Sequence, residues 1–175
     1  MDTNIILDYI IPSRKRDFPC SVELIKRISN GDFEAWTADY TLSETLGQLK
    51  AEKEFQMGTQ KNPKETVSRF DISQMVAIIE NVKKIPHLTI FSPSPISQPD
   101  IFAQVQNTCV QATDALVLLS VMELSKKIQS VLLVTRDERL GVRGSKVVKT
   151  VHPVQLLHHC PKTCGSLNIC KYKTP

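Results

Sequence analysis

Four carboxylates occupy places where an α/β chain concentrates its chemistry. Asp2 lies in Asp-Thr-Asn at the start, Glu44 opens a predicted helix, Asp114 opens the most apolar helix, and Asp137 closes the most apolar strand. Ligand sites of parallel α/β sheets form beyond the carboxyl ends of the strands, where strand ends and the following helix starts converge, so all four can meet there. Three or four carboxylates within ~5–8 Å would repel and raise one another's pKa unless a divalent cation sat among them. Hard oxygen donors of this kind suit Mg²⁺ or Mn²⁺. Taken singly, each acid has a plainer use. Asp114 can cap its helix, Asp137 can serve a turn, Glu44 suits the first-turn dipole, and Asp2 alone says little. Other chemistry is excluded, because the six glycines (31, 47, 58, 141, 144, 165) form neither a phosphate-cradling loop nor a dinucleotide fingerprint, and there is no Gly-x-Ser-x-Gly elbow.

The elements that must position these acids follow from apolar spacing. Ile5, Ile6, Tyr9 and Ile10 recur at helical intervals up to Pro12, and a basic loop, Ser13-Arg14-Lys15-Arg16, comes next. Residues 21–28 predict a second helix ended by Asn30-Gly31, and 33–41 a short strand rich in aromatic residues and threonine. Ser43 is placed to cap a helix over 44–55, and a long helical pattern covers 65–84. A strand at 88–91, helices at 100–110 and 113–127, a β-branched strand at 131–134 and a last strand at 146–151 complete the pattern. Strands alternating with helices predict a helix-flanked, mostly parallel sheet.

The chain of 175 residues, 41% apolar and 23% charged with mean hydropathy −0.14, is of one-domain size and buries roughly two-thirds of its unfolded surface. The longest apolar run, 115–122, is far short of the ~20 residues that span a bilayer, and the first residues carry no basic-then-apolar leader. A soluble, cytoplasmic protein is expected, with its five cysteines reduced. Charge is uneven: residues 139–175 carry +7 and no acid, against −3 for the rest. This asymmetry suits a polyanionic partner such as nucleic acid, and equally a solvated basic end. In the tail, His158, His159, Cys160, Cys164 and Cys170 are soft ligands, but without a compact Cys-x-x-Cys pair zinc is not expected there. His87 is expected on a surface loop.

Four segments carry a family resemblance: 2–7 (Asp-Thr-Asn-Ile-Ile-Leu), 42–44 (Leu-Ser-Glu), 112–116 (Ala-Thr-Asp-Ala-Leu) and 133–137 (Leu-Val-Thr-Arg-Asp). In order and spacing they resemble the successive motifs of PIN-domain ribonucleases, which include the VapC-like toxins of VapBC-type toxin–antitoxin pairs. The resemblance covers residues 1–157 as a PIN-like nuclease domain and leaves 158–175 as a basic, cysteine-containing tail. It implies a three-layer α/β/α fold with a mostly parallel central sheet, its first strand truncated because only Met1 precedes Asp2. It also implies a Mg²⁺- or Mn²⁺-dependent endoribonuclease with metal ligation and catalysis on Asp2, Glu44, Asp114 and Asp137. Thr135 would orient Asp137 or a bound water, and Asn4 would line the same pocket.

The implied chemistry is in-line attack of a metal-activated water on a phosphodiester, leaving a 3′-hydroxyl and a 5′-phosphate, with Asp114 or Asp137 as proton acceptor. Arg14, Lys15, Arg16, Arg136 and Arg139 would hold the RNA backbone, although a solvated loop also accounts for the first three. Trp36 and Tyr40 could stack on bases, but a strand-face or core position is the plainer reading. Expected partners are RNA, an antitoxin protein and a second copy of the chain, paired through the apolar positions Ile72, Met75, Val76 and Ile79; no membrane is expected. The competing function is a catalytically impaired PIN-like module that only binds RNA or protein. A phospho-acceptor receiver domain is excluded, since it needs paired acids after its first strand and a lysine after its last.

Overall fold

The computed structural model describes residues 1–58 and 69–157. The tail cysteines and histidines, and the first residues of the expected 65–84 helix, lie outside them. Among the described residues the order is α1 (Thr3–Ile10), α2 (Pro12–Asp17), α3 (Pro19–Ser29), β1 (Ala35–Ala38), α4 (Asp39–Gly58), α5 (Arg69–Val82) and β2 (Leu88–Phe91). Then follow α6 (Gln98–Thr108), α7 (Ala112–Ser125), β3 (Leu133–Val134), α8 (Glu138–Gly144), β4 (Thr150–Val151) and α9 (Pro153–Leu157). The protein is mixed α/β with short, parallel strands, as the alternation of strand and helix patterns predicts.

The strands differ from expectation in two respects: those expected over 33–41, 131–134 and 146–151 are shorter, at Ala35–Ala38, Leu133–Val134 and Thr150–Val151, and they form two separate two-stranded ribbons. β1 pairs with β2, Ala35 opposite Leu88, and β3 pairs with β4, Leu133 opposite Thr150. Each ribbon has its own apolar cluster. Ile5, Ile6, Leu24, Ile25, Leu42, Ile79 and Leu88 pack beside the first, and Ala115, Leu118, Leu133, Leu140 and Val148 beside the second. Among the described residues, Met1 and Asp2 bridge β1 and β3. The Met1 nitrogen donates to the Trp36 carbonyl at 2.7 Å, and the Asp2 N–H donates to the Val134 carbonyl at 3.3 Å. Directly after this bridge, the Asp2 side chain caps α1 by accepting from Thr3 N at 2.8 Å.

Local chemistry explains the other departures. The segment expected as a basic loop is helix α2, because Pro12 at its first turn fixes a helical φ and has no N–H to leave unpaired. α4 starts at Asp39, not at Ser43. Ser43 is already inside the helix, its hydroxyl turned back to the Asp39 carbonyl at 3.4 Å, so Glu44 sits in the second turn rather than opening the helix. Cys20 is disulfide-bonded, contrary to the expectation of reduced thiols, whereas Cys109 is free. Among the described residues no single helix is long and apolar enough to cross a membrane.

A buried ion pair fastens the α1–α3 helices to the loop after β3. Asp8 is wholly buried, and it accepts from Arg136 through Nε at 2.9 Å and Nη2 at 3.3 Å and from the Ser21 hydroxyl at 2.8 Å. The Arg136 guanidinium lies 3.5 Å from the centroid of the Phe18 ring, and Arg14 approaches Asp8 at 3.8 Å. Removing one partner strands the other away from bulk water, at a cost of about 2–4 kcal/mol once partial exposure of Arg136 is allowed for. Asp8→Asn is therefore expected to lower the unfolding free energy obtained from urea titration by that amount. A change under about 0.5 kcal/mol would show that the pair only breaks even against water.

Candidate metal centre

The four predicted acids reach one place by four different routes. Asp2 caps α1 at the end of the bridging segment. Glu44 projects from the second turn of α4. Asp114 lies at the third position of α7, and Asp137 is the N-cap of α8, its Oδ1 accepting from Leu140 N at 2.9 Å. All four line a single polar cavity of about 210 Å³, together with Thr3, Asn4, Gln48, Thr113 and Arg139. The four acids therefore share one cavity. They are not gathered into a closed ligand shell: among the described residues no three acidic, histidine or cysteine side chains stand close enough to hold one ion as placed.

The network around the acids fixes each one. Thr135, buried at the end of β3, donates to Asp2 Oδ2 at 2.7 Å and accepts from the Asp137 N–H at 3.0 Å. One hydroxyl therefore sets the position of two of the acids. The Thr3 hydroxyl donates to Glu44 Oε2 at 2.7 Å, and the Gln48 amide donates to Glu44 Oε1 at 3.1 Å. Asp114 accepts from the backbone N–H of Gln111, the reciprocal half of a capping box. Capping thus accounts for part of Asp114 and Asp137, but the caps also aim both carboxylates into the same cavity.

Electrostatics follow from burial and crowding. The Asp114 carboxyl is raised above the ordinary carboxylate range, first by burial and then by the neighbouring Asp137 charge, with Asp2 and Glu44 adding to it. Asp2 is raised by burial, against the hydrogen bond from Thr135 and the nearby amino terminus. All the donors are oxygens, the set that hard divalent cations take and softer metals do not.

The predicted basic residues divide. Arg139 lines the acidic cavity, and Arg136 and Arg139 line an adjoining cleft with Asn4, Asp137, Glu138 and Arg143. Arg136 is committed to Asp8, and Arg14 is paired with Asp8 and with Glu52 at 3.3 Å. Lys15 lies over the Tyr9 ring, and Arg14, Lys15 and Arg16 line neither cavity. Trp36 is half-buried in the gap beside β1 and the Tyr40 hydroxyl donates to Ser120 at 3.0 Å, so both hold strand-face and core positions. His87 is a surface residue paired with Glu34 at 2.8 Å. Thr3, Gln48 and Asp8 were not singled out by sequence. Only Asp8 left a signal, an acid inside an otherwise apolar helical run. Comparison of the chain with protein-family models, with curated proteins and with solved structures finds no match.

Raised carboxyls make a testable statement about stability. A group whose folded pKa lies above its unfolded value of 3.8 binds more protons in the native state, so stability is full below 3.8 and is lost as pH rises through the folded pKa. Asp114→Asn keeps the oxygen that accepts from Gln111 and removes the charge. Without divalent cation at neutral pH it is expected to raise Tm, on the order of 2 °C, and the gain should vanish once the pH falls below 3.8. A melting curve unchanged at neutral pH would mean that the cavity charges are already screened by water.

Proposed function

We propose that the chain is a Mg²⁺- or Mn²⁺-dependent endoribonuclease of PIN-like, three-layer architecture. The observation that carries the reading is the one cavity shared by Asp2, Glu44, Asp114 and Asp137, with Arg139 at its rim and a basic cleft beside it. Asp2, Glu44, Asp114 and Asp137 would hold the cation. When bound, it would polarise the scissile phosphate and lower the pKa of an attacking water. The chain's own residues do the rest. Thr135 keeps Asp2 and Asp137 in fixed relation, Thr3 and Gln48 orient Glu44, and Asp114, its carboxyl raised by burial and by the neighbouring Asp137 charge, would be the proton acceptor. Arg139 faces a phosphate backbone along the adjoining cleft, whereas Arg143 donates to the Cys109 carbonyl and Arg136 acts by holding the Asp137 loop.

In a cleavage assay with single-stranded and structured RNA, wild-type protein is expected to cut only with Mg²⁺ or Mn²⁺. Asp114→Asn should lose activity by about 100-fold or more with its fold intact. Cleavage that survives the substitution, or that needs no divalent cation, would refute the reading. The open spacing of the acids favours one alternative, an impaired PIN-like module. Under that alternative, wild-type protein would bind RNA yet leave it uncut at any divalent concentration.

Association belongs to the same proposal, with an antitoxin or a second copy as partner. On α5, Met75 and Ile79 are buried, but Ile72, Val76 and Ile78 are exposed apolar residues on its outer side. A homodimer through this helix would bury about 1,200–2,000 Å² in total and give RNA two basic-rimmed cavities. Sedimentation at micromolar concentration should report the dimer mass, and a monomer there would remove the dimer from the proposal.

A further inference from the structure

Asp114 and Asp137 each stand at the start of a helix, α7 and α8, and each helix carries a second residue on the side of its acid. Leu118 lies one turn beyond Asp114, and Gly144 lies two turns beyond Asp137. These two residues meet. A Cβ placed on Gly144 would stand 2.8 Å from Leu118 Cδ2, 3.6 Å from Thr150 Cγ2 and 3.7 Å from Leu140 Cδ1. Leu118 is fully buried in a cluster with Ala115, Leu133, Leu140 and Val148, so its methyl group has no open space to turn into. Gly144 is buried and helical, without a left-handed φ, so glycine is needed there for space and not for backbone freedom. A second contact ties α8 to the turn ahead of α7. Arg143 donates to the carbonyl of Cys109, the C-cap of α6, and two residues on the Gln111 N–H donates to the Asp114 carboxylate. Helix α8 thus carries one acid at its N-cap and, through Arg143, holds the turn that places the other.

We propose that Gly144 and Arg143 are positioning residues that set the separation of Asp114 and Asp137, and that this separation makes the cavity select its divalent cation by size, Mg²⁺ over Ca²⁺. This role rests on the reading of the cavity as a metal centre. Mg²⁺ takes oxygens at ~2.0–2.1 Å in a near-ideal octahedron, whereas Ca²⁺ takes them at ~2.3–2.6 Å in flexible shells. A methyl group at position 144 would stand inside contact distance of a buried leucine that cannot yield, so α8 must part from α7. That movement carries Asp137, the N-cap of α8, away from Asp114. A small cation with strict geometry loses more by it than a larger, adaptable one. Gly144 lines neither the acidic cavity nor the cleft beside it, so its effect reaches the acids only through the packing of the two helices.

Calorimetric titration of Mg²⁺ and of Ca²⁺ into the full-length, chelator-treated protein without RNA measures the preference. Gly144→Ala should weaken Mg²⁺ binding by about tenfold, as loss of a group that supports a ligand does, and Ca²⁺ binding by less than about threefold. Alanine is the better helix former, so the loss would not come from a weakened α8. Adding Leu118→Val removes the methyl group that the new Cβ meets and should restore the Mg²⁺ preference, a rescue that general loosening of the fold would not give. Should Gly144→Ala not fold, Arg143→Gln, at a half-buried site, should by itself move the preference toward Ca²⁺. The lost charge would favour both dications alike, so the ratio of the two affinities reads geometry. Equal losses for both cations, no rescue by Leu118→Val, or an Arg143→Gln ratio equal to that of the wild type would overturn the proposal. A wild-type protein that binds neither cation at millimolar concentration would overturn the metal centre and the role of Gly144 and Arg143 with it. Binding with the expected ratios but no RNA cleavage would uphold that role and remove only the nuclease reading.

Discussion

Everything in the candidate site hangs on the two residues that cross from one ribbon to the other. Met1 and Asp2 bond to Trp36 on one edge and to Val134 on the other, and the chain then turns at once into α1. This short bridge does two things. It holds the two ribbons at strand spacing, and it delivers the Asp2 carboxylate to the end of β3, where the Thr135 hydroxyl meets it. Thr135 in turn holds the Asp137 N–H, so the N-cap of α8 is referred back to the bridge through one oxygen atom. Were the bridge to slip by one residue, Asp2 would turn to the opposite face and the cavity would lose an acid along with the partner of Thr135.

Asp8 and Arg136 supply the second fixed point, by a different kind of interaction. Burying a carboxylate completely is expensive unless its oxygens are matched, and here a two-nitrogen guanidinium contact and a hydroxyl match them. Because Phe18 covers the guanidinium face, the pair is shielded from competing water. Arg136 directly precedes Asp137, so an ion pair anchored in α1 restrains the loop that carries a cavity acid. The same pairing withdraws Arg136 from the surface, where its charge would otherwise be read as a phosphate contact.

How much of this was legible depends on what kind of signal each part leaves. The helices of α1, α3 and α7 stand out by apolar period, since Ile5, Ile6, Leu24, Ile25, Ala115 and Leu118 recur where a buried stripe requires them. The strands of β1 and β2 were placed by their β-branched and aromatic content. Three helices were missed: α2 because its basic residues resemble a solvated loop, α8 because its seven residues fall below any periodic window, and α9 because it is shorter still. Glu44 was assigned to a helix start because Ser43 has the chemistry of a cap, but Asp39 comes first and the helix was already under way. The separation into two ribbons was not legible at all, since which strands pair is set by tertiary contacts that short β-branched runs do not encode. The acids could be named by type and place, whereas Thr3, Gln48 and Thr135 act as supports through single hydroxyl or amide groups, for which spacing carries no information.

The state of each carboxylate determines how it would respond to an incoming cation. Both oxygens of Asp2 accept from Thr3 N and Thr135, and both oxygens of Glu44 accept from Thr3 and Gln48, so these two are held rigidly. Asp137 spends Oδ1 on its helix, and Asp114 accepts from a single backbone N–H while it carries the penalty of its neighbours' charge. A cation entering the cavity would therefore relieve most repulsion at Asp114 and meet the least competition at Asp114 and the second oxygen of Asp137. Asp2 and Glu44 retain free lone pairs behind their hydrogen bonds and could join only if the cavity drew in around the charge. The open spacing of the four acids thus shares a physical origin with the part of the Asp114 rise that burial does not supply. Like charges that share a cavity stand apart until something positive is placed between them.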